Sequence, residues 1–309
     1  MVIRSIRPTD VLRVLLANRG IDLDWAQTWE RIEGRGSSAF SAACLAKGFI
    51  LQQERHKTSI LAEGMRIRAI ASVRQRSGPR AWEVHSLNLS SQIEEECIEL
   101  LTALCITAAS EGCQRVFLRL PAQSYVVNLA RRAGFLSCTK ETLYRLERPI
   151  SPASLSSGRI RCYLPTDEYN IFHLYNYSVP YNVRMACAIT FDEWIDAQEP
   201  LGENMQLGLY ESYGSIRGWI RITSDRHSAN RIEIVAHPDE NSYTWDELLS
   251  WGLQQGKPTE PFMSLVPDYQ PTLHRILERK GFIPTGEYQL MVRSATVMVE
   301  GSALAISGA

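Results

Sequence analysis

The chain has 309 residues, 45% of them hydrophobic and 22% charged, with a formal net charge of −1. That profile fits a folded globular protein of about two domains and gives no electrostatic reason for a nucleic-acid or anionic-membrane partner. The seven cysteines (Cys44, Cys97, Cys105, Cys113, Cys138, Cys162 and Cys187) show no C-x-x-C spacing, which argues against a disulfide framework and against a metal site.

The amino terminus, "MVIRSIRPTD", lacks an apolar signal run, and no segment reaches the length of a membrane span, so a cytoplasmic protein is expected. "IRSIRPTDVLRVLL" predicts a short strand running into a helix. "MRIRAIASVRQR" alternates with period two, placing Met65, Ile67, Ala69, Ala71 and Val73 on one strand face. Arg66, Arg68, Arg74 and Arg76 then form a solvated stripe without the interleaved aromatics of a nucleic-acid surface. The strand "RAWEVHSLNL" carries Glu83 at its centre, with His85 on the same face, and leads into the helix of "SSQIEEECIELL". Ser91 and Glu94 have capping-box spacing, and the three glutamates Glu94–Glu96 suit the positive end of a helix dipole. Cys97, Cys105 and Cys113 read as small core residues. "VFLRLPAQSYVVNLARRAGF" is a strand, then a helix closing on Gly134-Phe135. The Pro- and Ser-rich stretch Arg148 to Arg159 reads as a linker with a boundary near residue 155, giving domains of 1–150 and 156–296.

The second half repeats this plan. "IRCYLPTDEYNIFHLY" shares Pro-Thr-Asp with the start of the first half and opens a Tyr-rich region from Tyr169 to Arg184. "SIRGWIRIT" alternates, placing Ile216, Gly218, Ile220 and Ile222 on one face. "IEIVAH" places Glu233 mid-strand, as Glu83 is, with His237 at its end, and Thr244 and Glu247 again have capping-box spacing. "FMSLVPDYQPTLHRILERKGF" then matches the strand–helix–Gly-Phe unit. Gln123 and Gln270 each lie eleven residues before the closing glycine, and Arg132 and Arg279 two before it. The tail "EGSALAISGA" has no turn or cap signal and is expected to be loose.

The element order and the two Gly-Phe endings resemble the GNAT superfamily of acyl-CoA-dependent N-acyltransferases, present twice in tandem. The resemblance implies an α/β (α+β) fold of two GNAT-like modules, each a mixed, mostly antiparallel sheet with helices on both faces. It also implies acetyl transfer from acetyl-CoA to an amine on a small molecule or peptide. Carried over residue by residue, it places the cofactor along Ile234, Val235 and Ala236 and at the helix start Ser242, Tyr243, Thr244 and Trp245. Glu233 falls at the position of the base. The family's usual acid, a Tyr four residues before the Gly-Phe glycine, is replaced by Ala130 and Leu277, leaving water or nearby Tyr269 to protonate the thiolate. Tyr175, Tyr177 and Tyr181 fall in the region that shapes the acceptor pocket. Neither half keeps a phosphate-loop glycine, and the first has glutamates there, so the first module is expected to be structural. Two readings follow: an N-acyltransferase working through the second module, or a non-catalytic tandem pseudo-enzyme that binds or scaffolds.

Overall fold

The computed structural model describes residues 1–7, 9–10, 24–33, 55–64, 66–90, 93–148, 159–200, 204–224 and 229–295. Cys44, Met65, Ser91, nearly all of the linker and the carboxy-terminal tail lie outside them.

The strands are β1 (Val2–Ser5), β2 (His56–Glu63), β3 (Arg66–Gln75), β4 (Ala81–Leu89), β5 (Arg115–Pro121) and β6 (Leu136–Leu146) from the first half. The second half supplies β7 (Ile160–Cys162), β8 (Met205–Ser212), β9 (Ser215–Thr223), β10 (Asn230–Ala236), β11 (Phe262–Pro267) and β12 (Ile283–Ser294). All twelve join one sheet in the order β1-β2-β3-β4-β5-β12-β6-β11-β10-β9-β8-β7. The sixth strands are exchanged. β12 lies antiparallel between β5 and β6, and β6 lies antiparallel between β12 and β11. Read from either end the order is the same, so a pseudo-twofold axis passes between β12 and β6. Among the described residues only β4–β5 and β10–β11 pair in parallel.

The helices are α1 (Trp29–Ile32), α2 (Glu94–Ser110), α3 (Val126–Arg132), α4 (Glu168–Ser178), α5 (Tyr181–Cys187), α6 (Phe191–Ala197), α7 (Ser242–Gln255) and α8 (Pro271–Arg279). One sheet face carries two apolar cores. In the first, α2 and α3 cover Ala69, Ala71, Val73, Val116 and Leu118, joined by Met291 from the exchanged β12. In the second, α7 and α8 cover Ile220, Ile222, Ile232 and Ile234, joined by Tyr144 and Leu146 from the exchanged β6. Of the expected alternation, Ala69, Ala71 and Val73 of β3 and Ile220 and Ile222 of β9 point into these cores, while Ile216, beyond an irregularity in the β8–β9 register, lies in the cluster on the opposite face. Cys97, Cys105 and Cys113 lie in the first core, where burial pushes each thiol up to about 12. The opposite face bears Arg, Glu, Trp and Leu side chains beneath α1, α4 and α6.

Helix ends follow the sequence signals in part. Gly134 and Gly281 adopt φ of 85° and 86°, and the amides of Phe135 and Phe282 bond back to Ala130 and Leu277, closing α3 and α8. The box expected at Ser91 lies outside the described residues; α2 begins at Glu94 with Ile93 as its cap. The Thr244–Glu247 box does not form as written. α7 begins three residues before the predicted cap: Asn241 accepts hydrogen bonds from the amides of Tyr243 and Thr244, leaving Thr244 and Glu247 inside the helix. An Asn in extended backbone just before the turn competes better for those amides than a Thr further along.

Candidate active site

Each half has a V-shaped opening where its two parallel strands part. β4 and β5 stay paired from Ala81–Arg115 to Glu83–Phe117 and then diverge. β10 and β11 do so after Ile232–Ser264. Glu83 therefore lies inside the paired stretch and Glu233 one residue beyond it, so the two glutamates that look equivalent in sequence are not equivalent in space. A β-bulge at His85, between Val84 and Ser86 in the β3–β4 register, follows Glu83 where the strands part.

The first opening is filled by the chain itself. Asp24 to Gln27 run between the diverging strands: the amide of Trp25 donates to the Leu87 carbonyl (2.8 Å) and the amide of Gln27 to the Arg119 carbonyl (2.9 Å). Asp24 accepts from the amides of Leu87 (2.8 Å) and Ala26 (3.1 Å) and is salt-bridged to Arg31 (2.8 Å). Ala26 is fully buried, and Trp25 packs edge-on against Tyr125 with ring centroids 5.2 Å apart. The segment uses backbone groups of both strands, so an extended ligand has nowhere to pair.

The second opening leads into a cavity of about 240 Å³. Ile234 and Val235 of β10, Ser264, Leu265 and Pro267 of β11, and Tyr269, Gln270 and Leu273 line its cleft side. Two cleft-facing carbonyls carry side-chain latches: Gln270 Nε2 donates to Ile234 (3.4 Å) and Ser178 Oγ to Ala236 (3.0 Å).

The cavity floor is ionic and built by both halves. Glu199, in the loop after α6, meets Arg119 (2.5 Å), Arg231 (2.8 Å) and Arg76 (3.7 Å). Arg119 also holds Glu141 (2.6 Å), and Arg76 holds Glu83 (3.2 Å), which Arg74 holds as well (2.7 Å). Glu233 is gripped by Arg221 and Arg231. Burial alone would raise the pKa of Glu199, but Arg119, Arg231 and Arg76 overturn it and hold the group well below the carboxylate range. Glu233 follows the same logic. Burial pushes up, Arg221 and Arg231 pull down further, and the group stays ionised. For Tyr269 burial dominates and raises the pKa, with Cys187 and Glu141 adding to it, so its hydroxyl keeps its proton at neutral pH.

Of the residues expected from sequence, Glu233, Ile234, Val235 and Tyr269 line this one cavity. Ala236 lies on the same strand but its carbonyl is latched. Ser242 and Tyr243 are exposed at the start of α7, Thr244 and Trp245 are buried, and Thr244 Oγ1 donates to Glu240 (2.8 Å). Tyr175 is half-buried, donates to the Ala188 carbonyl (3.0 Å), and lies near enough to Tyr269 to raise its pKa. Tyr177 and Tyr181 are each 67% exposed and do not line the cavity. Sequence reasoning missed Arg119, Glu141, Glu199, Arg221 and Arg231, and it put Arg76 on a solvated stripe, where the structure buries it against Glu83 and the Phe117 ring. Arg221 and Arg231 flank Glu233 in the pattern of their strands and were legible in principle. Glu199 sits in "AQEPLG", a loop without periodicity, and carried no signal.

No protein-family profile matches the sequence, and no curated protein matches it. Solved structures do. A putative acetyltransferase from Pyrococcus horikoshii aligns with TM-score 0.52 and 11% identity over 96% of this chain and 90% of that one. A GCN5-related N-acetyltransferase from Sphaerobacter thermophilus aligns with TM-score 0.52 and 14% identity over 96% of both chains. A tandem GNAT protein from the clavulanic acid biosynthesis pathway aligns with TM-score 0.50 and 11% identity over 96% of this chain and 99% of that one. The chain has the tandem GNAT fold.

Proposed function

On this tandem GNAT fold, we propose that the second half transfers an acyl group from acetyl-CoA to a small-molecule or peptide amine. The observation that carries the reading is the contrast between the openings: the β4–β5 cleft is filled by Asp24 to Gln27, and the β10–β11 cleft opens on a cavity. The acyl thioester lies along Ile234 to Ala236 once the Ser178 and Gln270 latches swing aside. Glu233, kept ionised by its two guanidiniums, attracts and orients the acceptor's ammonium and passes its proton to solvent. The amine nitrogen then bonds to the acyl carbon, the C–S bond breaks, and the nitrogen releases its second proton to solvent through Glu233. Tyr269, held protonated by burial, gives its proton to the thiolate and regains one from water.

Calorimetric titration of the full chain with acetyl-CoA tests the donor. Binding that is lost in Val235→Trp, which blocks the open cleft, supports the reading. For the chemistry, Tyr269→Phe and Glu233→Gln are each expected to lower kcat on the order of 10²-fold, while Glu83→Gln leaves it within a few-fold. A second reading, a non-catalytic binding or scaffold protein, draws on the start of α7. There Asn241 already takes the Tyr243 and Thr244 amides, Glu240 sits beside them, and no glycine lets a pyrophosphate approach. A folded protein that shows no heat with acetyl-CoA would establish that second reading.

A further inference from the structure

A second cavity of about 220 Å³ adjoins the first on the side of α4 and α6. Its walls are Tyr163, Ile171, Trp194, Ile195, Leu207 and Trp219. The two cavities share Gln198, Trp219 and Arg221, so one molecule can span both. Neither alone reaches the roughly 300–1,000 Å³ pocket of a drug-sized ligand, so each has room for only a small group. Trp219 and Arg221 lie two residues apart on one face of β9, opposite Val235 and Glu233 of β10. A path from the apolar cavity therefore runs along the Trp219 ring to the Arg221 guanidinium and the Glu233 carboxylate, cross-strand neighbours joined in a salt bridge.

The unused donors of the ionic floor are informative. Arg221 Nε and Arg231 Nε are buried without a hydrogen-bond partner among the described residues. A buried guanidinium with an unused donor costs free energy until an acceptor arrives, and a carboxylate is its best-matched one.

Resting on the acyltransferase reading, we propose that the acceptor is a small amino acid with an apolar, ring-sized side chain. The side chain occupies the cavity between Trp194 and Trp219, the carboxylate meets Arg221, and the ammonium meets Glu233.

The test uses the full chain without acetyl-CoA, titrated calorimetrically with L-phenylalanine, L-leucine, phenethylamine (no carboxylate), 3-phenylpropionate (no amine) and glycine (no side chain). L-Phenylalanine or L-leucine is expected to bind at least tenfold more tightly than the other three. Ile195→Trp, which fills the apolar cavity and leaves the ionic groups in place, should abolish that binding. Arg221→Gln should reduce it at least tenfold, with retained folding checked by circular dichroism. Phenethylamine binding as tightly as L-phenylalanine, or heat from none of the five, overturns the proposal. Amino-acid binding without acetyl-CoA binding would leave this site standing and sink the acyltransferase. Acetylation of carboxylate-free amines in preference to amino acids would do the reverse.

Discussion

Asp10 and Asp167 show what the repeated Pro-Thr-Asp does. In each half the Asp accepts from an Arg six residues earlier, Arg4 (2.6 Å) or Arg161 (2.7 Å), and from the amide three residues earlier, Arg7 (2.9 Å) or Leu164 (2.8 Å). The motif ties the first strand to the element that follows it. The Arg161 hydrogen bond lowers the pKa of Asp167, so its contribution is present above the unfolded value of 3.8 and lost as pH falls through the lower folded one. Asp167→Ala should lower stability by about 1–2 kcal/mol at neutral pH and by less in acid, read from urea midpoints at both. Glu247 behaves in the opposite sense. Both its oxygens are buried without a partner among the described residues, and burial, opposed only by Arg159, raises its pKa. Protonated Glu247 favours the fold below the unfolded value of 4.5, and that advantage is lost as pH rises through the raised folded one. Glu247→Met is therefore expected to stabilise the protein at pH 7 by about 1 kcal/mol or more and to have a smaller effect near pH 4.

At the level of elements, one of the three glutamates at the start of α2 finds a partner downstream. Glu95 pairs with Arg132 at the end of α3, and Asp246 in α7 pairs with Arg279 at the end of α8 (3.0 Å). The arginines that repeat before each closing glycine are thus staples between consecutive helices. Gly134 and Gly281 were legible because a left-handed cap constrains residue type locally. The plug was not. "DWAQ" satisfies no period, and its stability comes from bonds to Leu87 and Arg119, some sixty and ninety positions away. Asp24→Ala removes the acceptor for two buried amides and should cost about 1–3 kcal/mol. Hydrogen exchange at Trp25 and Leu87 should speed up. Acetyl-CoA affinity should stay unchanged, since the donor occupies the other opening. Ser178→Ala frees a β10 carbonyl and is expected to leave that affinity equal or to raise it.

Across the whole molecule, the exchanged strands and the ionic floor bind the halves into one unit. Glu199 links Arg76 and Arg119 of the first half to Arg231 of the second, and Arg80–Asp196 (2.6 Å) and Arg115–Glu193 (2.7 Å) add further crossings. Glu199→Ala leaves those buried guanidiniums undercompensated and should cost about 3–5 kcal/mol. Because its pKa is held low, the stability it supplies to the wild type is present above 4.5 and fades in acid, so the mutant's deficit should shrink there. Calorimetry should show a single unfolding transition. A chain cut after Phe282 should lose the first core as well as the second, since β12 pairs with β5 and contributes Met291. The fold class was legible in the sequence because alternation and helix caps are local. The exchange was not, because β6 and β12 occupy the same place in the repeat and present the same pattern to either sheet.

That exchange sets a timetable for synthesis. When Leu146 leaves the ribosome, β5 has no neighbour on one side, because the strand that covers it ends at Ser294. At about 5–20 residues per second, the nascent first half waits on the order of ten seconds or longer with an open strand edge and an incomplete core. An open edge is a template for pairing with other chains. Vectorial folding, amino-terminal domain first, is therefore closed to this protein: its first half matures only after its last strand is made.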